Sequence, residues 1–129
     1  MVFQKVKGTT DFFPEEMALR NFVFDKLRET AVHYNFKEAE PPVIESMDLL
    51  TSKSGDEIRK QIFVFEKKGE EDLGLRFEPT AGYARMFIEK QKELPKPVKW
   101  FCIINVWRYE RPQKGRLREF FQFDVELFG

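Results

Sequence analysis

The sequence predicts an α+β fold in which helices pack on an antiparallel sheet. A long helical pattern opens the chain, and two apolar strand patterns joined by a polar loop close it. Shorter strand patterns and one further helix lie between them. Among 129 residues, 42% are hydrophobic and 16% aromatic, which is enough to build a core and excludes a wholly disordered chain.

The first element is a long helix that we expect to start after Asp11 and to run to about Asn35. Asp11 can cap the helix, Pro14 suits its first turn, and Glu15 and Glu16 favour its positive end. Apolar residues at four-residue spacing predict the stripe that faces the core. They are Leu19, Val23, Leu27 and Ala31, and Phe24 and Tyr34 widen the stripe.

A short extended stretch follows the long helix. It spans Phe36 to Pro42, because two adjacent prolines cannot continue a helix. A second, short helix is predicted near Met47 to Ser52, with Ser46 as its cap.

Two strands and a third helix make up the middle of the chain. The strand candidates are Ile62–Glu66 and Leu73–Phe77, and the polar segment Lys67–Asp72 joins them as a hairpin loop. Thr80 is the expected cap of the helix that follows. The helix carries Ala84, Phe87, Ile88 and Gln91.

The last two strands, Val98–Trp107 and Glu119–Phe128, carry the most informative pattern. Side chains alternate between the faces of a strand, so one face of the second strand is apolar and is expected to enter the core. Its residues are Phe121, Phe123, Val125 and Leu127. The other face combines one aromatic ring with polar groups and predicts a groove or a site. Its residues are Phe120, Gln122, Asp124 and Glu126.

The loop between these strands is strongly basic. Guanidinium groups bind phosphate oxygens, an aromatic ring can stack on a base, and carboxylates can hold an ammonium or a ring N–H. The hairpin therefore suits a nucleotide beside a small polar substrate, although a solvated basic hairpin explains the same pattern. The five cations of these eleven residues are Arg108, Arg111, Lys114, Arg116 and Arg118.

Net charge, hydropathy and cysteine content limit which other classes of protein the chain can belong to. The 22 basic and 22 acidic residues cancel, so an anion site must be a local cluster. No apolar run approaches the ~20 residues of a membrane span, and the first residues do not form a secretory signal. Cys102 is the only cysteine, which excludes an internal disulfide and favours a reducing, cytoplasmic setting.

Four segments in the same order resemble the histidyl-tRNA synthetases, which are class II aminoacyl-tRNA synthetases. The stretch Arg108–Gly129, with Arg-Pro-Gln-Lys-Gly-Arg in its loop, resembles their motif 2. Lys7–Pro14 is similar to the opening of the family, and Pro42–Glu45 to the end of motif 1, the dimerisation element. Arg76–Gly82 resembles the loop that receives the ammonium group of the amino acid.

The resemblance implies one partial catalytic domain over residues 1–129 with the incomplete antiparallel sheet of a class II synthetase. Motif 1 would span about 14–45, the amino-acid loop 76–82, and motif 2 about 100–129. Motif 3 and the anticodon-binding domain are absent from these residues. We therefore expect a histidine–tRNA ligase as the parent protein and weak or no activity from this segment alone.

The same resemblance assigns roles to residues. Arg108 would hold the α-phosphate of ATP and the histidine carboxylate and would act in catalysis. The other ATP-binding residues would be Glu110, Arg116 and Phe120, and Mg²⁺ would accompany the nucleotide without a protein metal site. The other histidine-binding residues would be Glu78, Thr80, Gln122 and Glu126. The residues near tRNA-His would be Arg111, Lys114 and Arg118.

Two other functions remain open at this point. One is a non-catalytic regulatory subunit of ATP phosphoribosyltransferase with a synthetase-like fold, against which the retained motif-2 residues argue. The other is a module that only binds nucleotide or RNA through its basic hairpin. We expect this segment by itself to self-associate, since an unfinished sheet and a dimer face would be exposed. For the ligase we expect a homodimer and no membrane contact.

Overall fold

The computed structural model describes residues 2–66, 71–111 and 113–129. It confirms the α+β class. The helices are α1 (Pro14–His33), α2 (Met47–Thr51), α3 (Thr80–Lys90) and a 3₁₀ helix (Asp56–Gln61). The strands are β1 (Lys37–Glu38), β2 (Ile44–Ser46), β3 (Val64–Phe65), β4 (Leu73–Leu75), β5 (Val98–Trp107) and β6 (Glu119–Phe128). Within the described ranges, no helix is both long and apolar enough to cross a bilayer.

The strands form two small sheets. The first has the order β1-β5-β6, in which β5 and β6 are antiparallel from Val98↔Phe128 to Trp107↔Glu119 and β1 is parallel to β5. The second has the order β2-β4-β3 and is antiparallel throughout. The predicted β3–β4 hairpin is therefore confirmed, while Lys67–Glu70 of its predicted loop lie outside the described residues.

Two buried clusters hold these sheets and helices together. One lies beneath α2 and β4 and contains Met47, Leu50, Ile62 and Phe77. The other lies between α3 and the β5–β6 pair and contains Tyr83, Cys102, Ile104 and Val106. The Tyr83 hydroxyl donates to the Ala39 carbonyl at 2.6 Å. Burial raises the pKa of Cys102 to about 11, so this thiol is a packed core residue and not a reactive group.

Helix α1 differs from its prediction at both ends. Phe13 and not Asp11 precedes the first helical residue, because Pro14 already starts the helix and needs no N–H partner. The helix ends at His33, two residues before Asn35, whose positive φ of 66° terminates it. Ser46, by contrast, caps α2 as predicted by accepting from the Leu49 N–H at 3.2 Å.

Half of the apolar stripe of α1 does not face the core, so the prediction was wrong for Leu19, Val23 and Tyr34, whereas Phe24 and Leu27 are half-buried. Leu19 and Val23 are 66% and 46% exposed, and only Ala31 is buried. Helix α1 contacts the β5–β6 pair through Phe24, which belongs to the widened stripe, and the Phe24 and Phe121 rings lie 5.2 Å apart.

The apolar face of β6 is also more exposed than predicted. Phe123, Val125 and Leu127 are 39%, 46% and 63% exposed, although Phe121 is half-buried beside α1. Strand β6 is the last strand of its sheet in the described part of the chain, and α1 covers only its beginning. The opposite face is half-buried instead, because α3 packs against it.

The N-terminal segment is fastened to the start of β6 through Gly8. The Gly8 carbonyl accepts from the backbone N–H groups of Arg118 at 2.8 Å and Glu119 at 3.2 Å. Gly8 has φ +86°, and a Cβ there would lie 2.8–2.9 Å from atoms of Arg118. A side chain at this position would thus be both strained and crowded.

We expect Gly8→Ala to lower the free energy of unfolding by about 2–3 kcal/mol, combining left-handed strain with overpacking. Gly55→Ala is the matched control, since Gly55 has φ +69° but nothing within 4 Å of an added Cβ, and should cost only about 1 kcal/mol. Urea unfolding measures both, and hydrogen exchange at the Arg118 and Glu119 amides should accelerate only in Gly8→Ala. Equal costs would show that the contact with Arg118 is unimportant.

Candidate functional site

Arg108 lies between two clefts on the half-buried face of the β5–β6 pair. Arg108 is the first residue after β5, and it lines both clefts. We call the first the helix cleft, because it lies at the start of α3. We call the second the hairpin cleft, because it lies against the connection between β5 and β6. One guanidinium is thus shared by two adjoining spaces, each large enough for a small ligand group.

The helix cleft has a volume of about 270 Å³ and a largely polar lining. It brings together most of the residues predicted to bind the amino acid, namely Glu78, Thr80, Arg108 and Gln122. Asp124, Lys53 and Ser54 also line it, and sequence reasoning gave none of these three a role. The two-residue alternation along β6 had already placed Asp124 on the same face as Gln122 and Glu126, so the sequence did contain a signal that Asp124 belongs to the site. No comparable signal existed for Lys53 and Ser54, which come from the distant segment after α2.

Glu78 and Thr80 are tied together at the first turn of α3, but not as predicted. Thr80 does not cap the helix. Instead the Glu78 carboxylate accepts from the backbone N–H groups of Thr80 and Ala81, both at 3.3 Å. A carboxylate suits this position because the start of a helix carries partial positive charge. The Thr80 hydroxyl is therefore free to bond across the cleft.

That hydroxyl donates to Glu126 Oε1 at 2.7 Å. This hydrogen bond holds Glu126 beside Thr80 at the start of α3. Asp124, which is two residues nearer to Arg108 on the same face of β6, lines the cleft itself. Burial raises the pKa of the Asp124 carboxyl, and the nearby charges of Glu126 and Glu78 raise it further. The part of the helix cleft near Asp124 and Glu78 is thus acidic and favours a cation or an N–H donor.

The hairpin cleft has a volume of about 380 Å³ and is lined by Arg108, Glu110, Arg116 and Phe120, with Gly115 and Leu117. All four residues predicted to bind ATP therefore share one cleft. Arg116 is exposed and follows a tight turn, which Gln113 and Arg116 close with two backbone hydrogen bonds of 2.9 and 3.3 Å. Gly115 supplies the positive φ of 81° that this turn requires. Pro112 lies outside the described residues.

Phe120 is not a bare stacking surface in this structure. The guanidinium carbon of Arg108 lies 5.2 Å from the centre of its ring, in the geometry of a cation–π contact. The Arg108 Nε–H also donates to the Phe77 carbonyl at 3.2 Å, which connects the guanidinium to the segment before α3. A base could stack on this face of Phe120 only if the Arg108 guanidinium moved away from it.

The remaining cations of the hairpin divide into two groups. Arg118 is held in place, since its Nε–H donates to the Glu110 carbonyl at 2.8 Å and its guanidinium covers the Tyr109 ring at 4.6 Å. Arg111 and Lys114 are exposed. The structure therefore leaves Arg111 and Lys114 accessible to a large anionic partner and gives Arg118 a structural role as well.

The arrangement can bind a zwitterion beside a polyanion. Carboxylates at the end of the helix cleft suit an ammonium or an N–H group, and arginines at the hairpin cleft suit phosphates. Arg108 lines both clefts, so its guanidinium could bind an anionic group of a ligand in either one. In the described part of the chain, no three metal-ligating side chains come together.

Comparison with known proteins identifies the family of this chain. The sequence model of the family described as histidyl-tRNA synthetase matches residues 8–129. A histidine–tRNA ligase of Methanococcus maripaludis is 50% identical over 129 residues, which are 100% of this chain and 31% of the relative. The chain thus spans about 31% of the length of that curated relative.

Solved structures show the same fold. The histidyl-tRNA synthetase of Nostoc sp. has a TM-score of 0.82 at 26% identity, over 96% of this chain and 28% of that one. A protein of Bacillus halodurans, described as an ATP phosphoribosyltransferase regulatory subunit/histidyl-tRNA synthetase, has a TM-score of 0.81 at 26% identity, over 97% of this chain and 32% of that one. The family match covers nearly every residue, including both clefts, and so this chain belongs to the histidyl-tRNA synthetase family.

Proposed function

We propose that this chain provides the amino-acid-activating part of a histidine–tRNA ligase. A histidine carboxylate oxygen bonds to the α-phosphorus of ATP while the bond to the pyrophosphate oxygen breaks, which yields histidyl-adenylate and pyrophosphate. The adenylate then passes histidine to the end of tRNA-His. The observation that carries this proposal is the position of Arg108, which lines the helix cleft and the hairpin cleft at once.

Arg108 is the proposed catalytic residue. Its guanidinium would bind the histidine carboxylate and the α-phosphate together and neutralise the negative charge that builds up at phosphorus. It would also hold the two reactants in line, which removes much of the entropy cost of the encounter. No proton transfer by the protein is needed for this step.

The hairpin cleft is the proposed ATP site. Arg116 would bind the outer phosphates, Phe120 would stack on adenine, and Glu110 would lie near the nucleotide. The shared cleft supports this grouping. Mg²⁺ would arrive bound to the phosphates of ATP as part of the substrate, and Glu110 is the carboxylate beside the arginines that could bind its water molecules.

The helix cleft is the proposed histidine site. Glu78 and Thr80 would take the α-ammonium group, Gln122 would contact the backbone of the amino acid, and Glu126 would accept from the imidazole ring. A ring N–H that meets a carboxylate excludes apolar side chains of similar size. The acidic end of the cleft supports this assignment.

The partners of the whole protein follow from the same proposal. Arg111, Lys114 and Arg118 would contact the backbone of tRNA-His, where cations position the nucleic acid without reading its sequence. A homodimer is proposed through motif 1, about residues 14–45, and the exposed apolar side chains Leu19 and Val23 of α1 support it. The amino-acid loop would span 76–82 and motif 2 about 100–129, and the protein would act in the cytoplasm.

The test is amino-acid-dependent exchange of labelled pyrophosphate into ATP, measured with the complete protein. Histidine should support exchange, and none of the other standard amino acids should do so at comparable concentration. The complete gene should also rescue a strain that lacks histidine–tRNA ligase. Absence of both results would contradict the proposal and would favour a regulatory subunit of ATP phosphoribosyltransferase, one of the two descriptions given to the B. halodurans protein.

A further inference from the structure

A further cleft adjoins the helix cleft, and we call it the α2–α3 groove because it lies between these two helices. Thr80 and Lys53 line both spaces, so the groove is a neighbour of the proposed histidine site. The groove has a volume of about 360 Å³, and its lining is largely apolar. A cleft of this kind, with a few polar groups at its edge, suits an organic ring. Its other lining residues are Leu49, Ser52, Ala81, Ala84, Arg85 and Ile88.

Lys53 is the cation of the groove that is available to a ligand. Arg85 is already paired, since its guanidinium lies 3.0 Å from the Glu45 carboxylate and 3.8 Å from that of Glu89. Lys53 is exposed where the groove meets the helix cleft, and no ion pair among the described residues includes it. The groove therefore offers an apolar surface to a ring and one ammonium group to an anion.

The second half of the proposed reaction requires a third binding site. A ribose hydroxyl oxygen at the 3′ end of tRNA must bond to the carbonyl carbon of histidyl-adenylate, while the bond from this carbon to the phosphate oxygen of AMP breaks and the hydroxyl proton leaves with the phosphate. The adenylate itself fills the helix cleft with its histidine part and the hairpin cleft with its AMP part. The terminal nucleotide must therefore approach from a neighbouring space. The α2–α3 groove meets the helix cleft at Thr80, which is proposed to hold the α-ammonium group next to that carbonyl carbon.

We propose that the α2–α3 groove binds the terminal nucleotide of tRNA-His during transfer. This inference rests on the proposed function and adds an acceptor site to it. The adenine base at the end of the tRNA lies against Ala84 and Ile88, and Lys53 binds the phosphate that precedes its ribose. The ribose hydroxyls then face the helix cleft at Thr80. The phosphate contact positions the nucleotide without reading its sequence.

The acceptor site can be tested in the complete protein, because transfer and activation are measured separately. Ala84→Leu places a larger side chain in the groove and should lower the single-turnover rate of transfer from enzyme-bound histidyl-adenylate to saturating tRNA-His by about 10- to 100-fold. Histidine-dependent pyrophosphate exchange needs no tRNA and should fall far less, because Ala84 lines neither the helix cleft nor the hairpin cleft. Gln91→Leu is the matched control, since it adds the same side chain at the exposed end of α3, outside the groove, and should alter neither rate.

A photoreactive tRNA locates the nucleotide in the wild-type protein and does not depend on the folding of a variant. When tRNA-His that ends in 2-azidoadenosine is irradiated with the complete protein, it should attach to residues of the groove such as Leu49 or Ile88, which mass spectrometry of the digest identifies. Attachment only outside the groove would overturn the acceptor site. So would an Ala84→Leu protein in which transfer and exchange fall equally or not at all. A wild-type protein without histidine-dependent exchange would instead contradict the proposed function.

Discussion

Arg108→Ala should lower the kcat/KM of histidine-dependent pyrophosphate exchange in the complete protein by about 10²- to 10³-fold or more. The physical reason is that one guanidinium lines both clefts, so its loss removes an anchor for the carboxylate and for the α-phosphate at the same time. Charge that builds up at phosphorus would then have no cation at the point where the two ligands meet. Steady-state exchange with varied histidine and varied ATP measures the effect on each substrate.

Two further variants complete this experiment: one keeps the charge at position 108, and the other removes an arginine outside both clefts. Arg108→Lys keeps the charge but cannot present two parallel N–H groups, so we expect it to recover only part of the loss. Arg59→Ala removes an exposed arginine that pairs with Asp72 at 2.7 Å and lines neither cleft, and it should leave exchange unchanged. Near-normal exchange by Arg108→Ala would refute the catalytic assignment.

Arg76→Ala should cost about 3–5 kcal/mol of unfolding free energy, which is the largest stability effect that we expect in this chain. The Arg76 side chain is 3% exposed and donates to the Pro41 carbonyl at 2.8 Å. It also donates to the carbonyl and the side-chain oxygen of Asn105, each at 2.9 Å. Truncation would leave the buried Pro41 carbonyl and the half-buried Asn105 oxygens without this donor and would open a space beside Trp107.

Urea unfolding followed by tryptophan fluorescence measures this cost, since the Trp107 ring lies 5.9 Å from the Arg76 guanidinium. Arg59→Ala serves again as the matched control, because its ion pair with Asp72 is on the exposed surface and should contribute less than about 1 kcal/mol. If the two variants had similar midpoints, the hydrogen bonds that join Arg76 to Pro41 and to Asn105 of β5 would not stabilise the fold as the geometry indicates.

The elements that could be predicted are those whose signals are local. Periodicity placed β5 and β6 at their full bounds, and Ser46 marked the start of α2. The 3₁₀ helix Asp56–Gln61 and the strand Ile44–Ser46 were missed, because neither carries a repeated apolar pattern. Their conformations depend on packing against α2 and β4, which are close in space but not always adjacent in sequence.

Burial was predicted less well than the elements themselves. An apolar stripe shows which residues of a helix or strand can be buried, but not which neighbour covers them. Leu19 on α1 and Leu127 on β6 are both apolar, and they are 66% and 63% exposed. The described elements do not reach these faces, so hydrophobic pattern alone overstated the core.

The site, too, could be predicted only in part. The sequence by itself determined which groups are present: a basic hairpin, an aromatic ring and a run of polar side chains on one face of β6, because the two-residue repeat of a strand fixes the face of each residue. Only the tertiary structure decided how they are grouped. It placed Arg108 between two clefts, bound Thr80 to Glu126 and brought Asp124 beside Glu78, since these contacts join residues that are far apart along the chain.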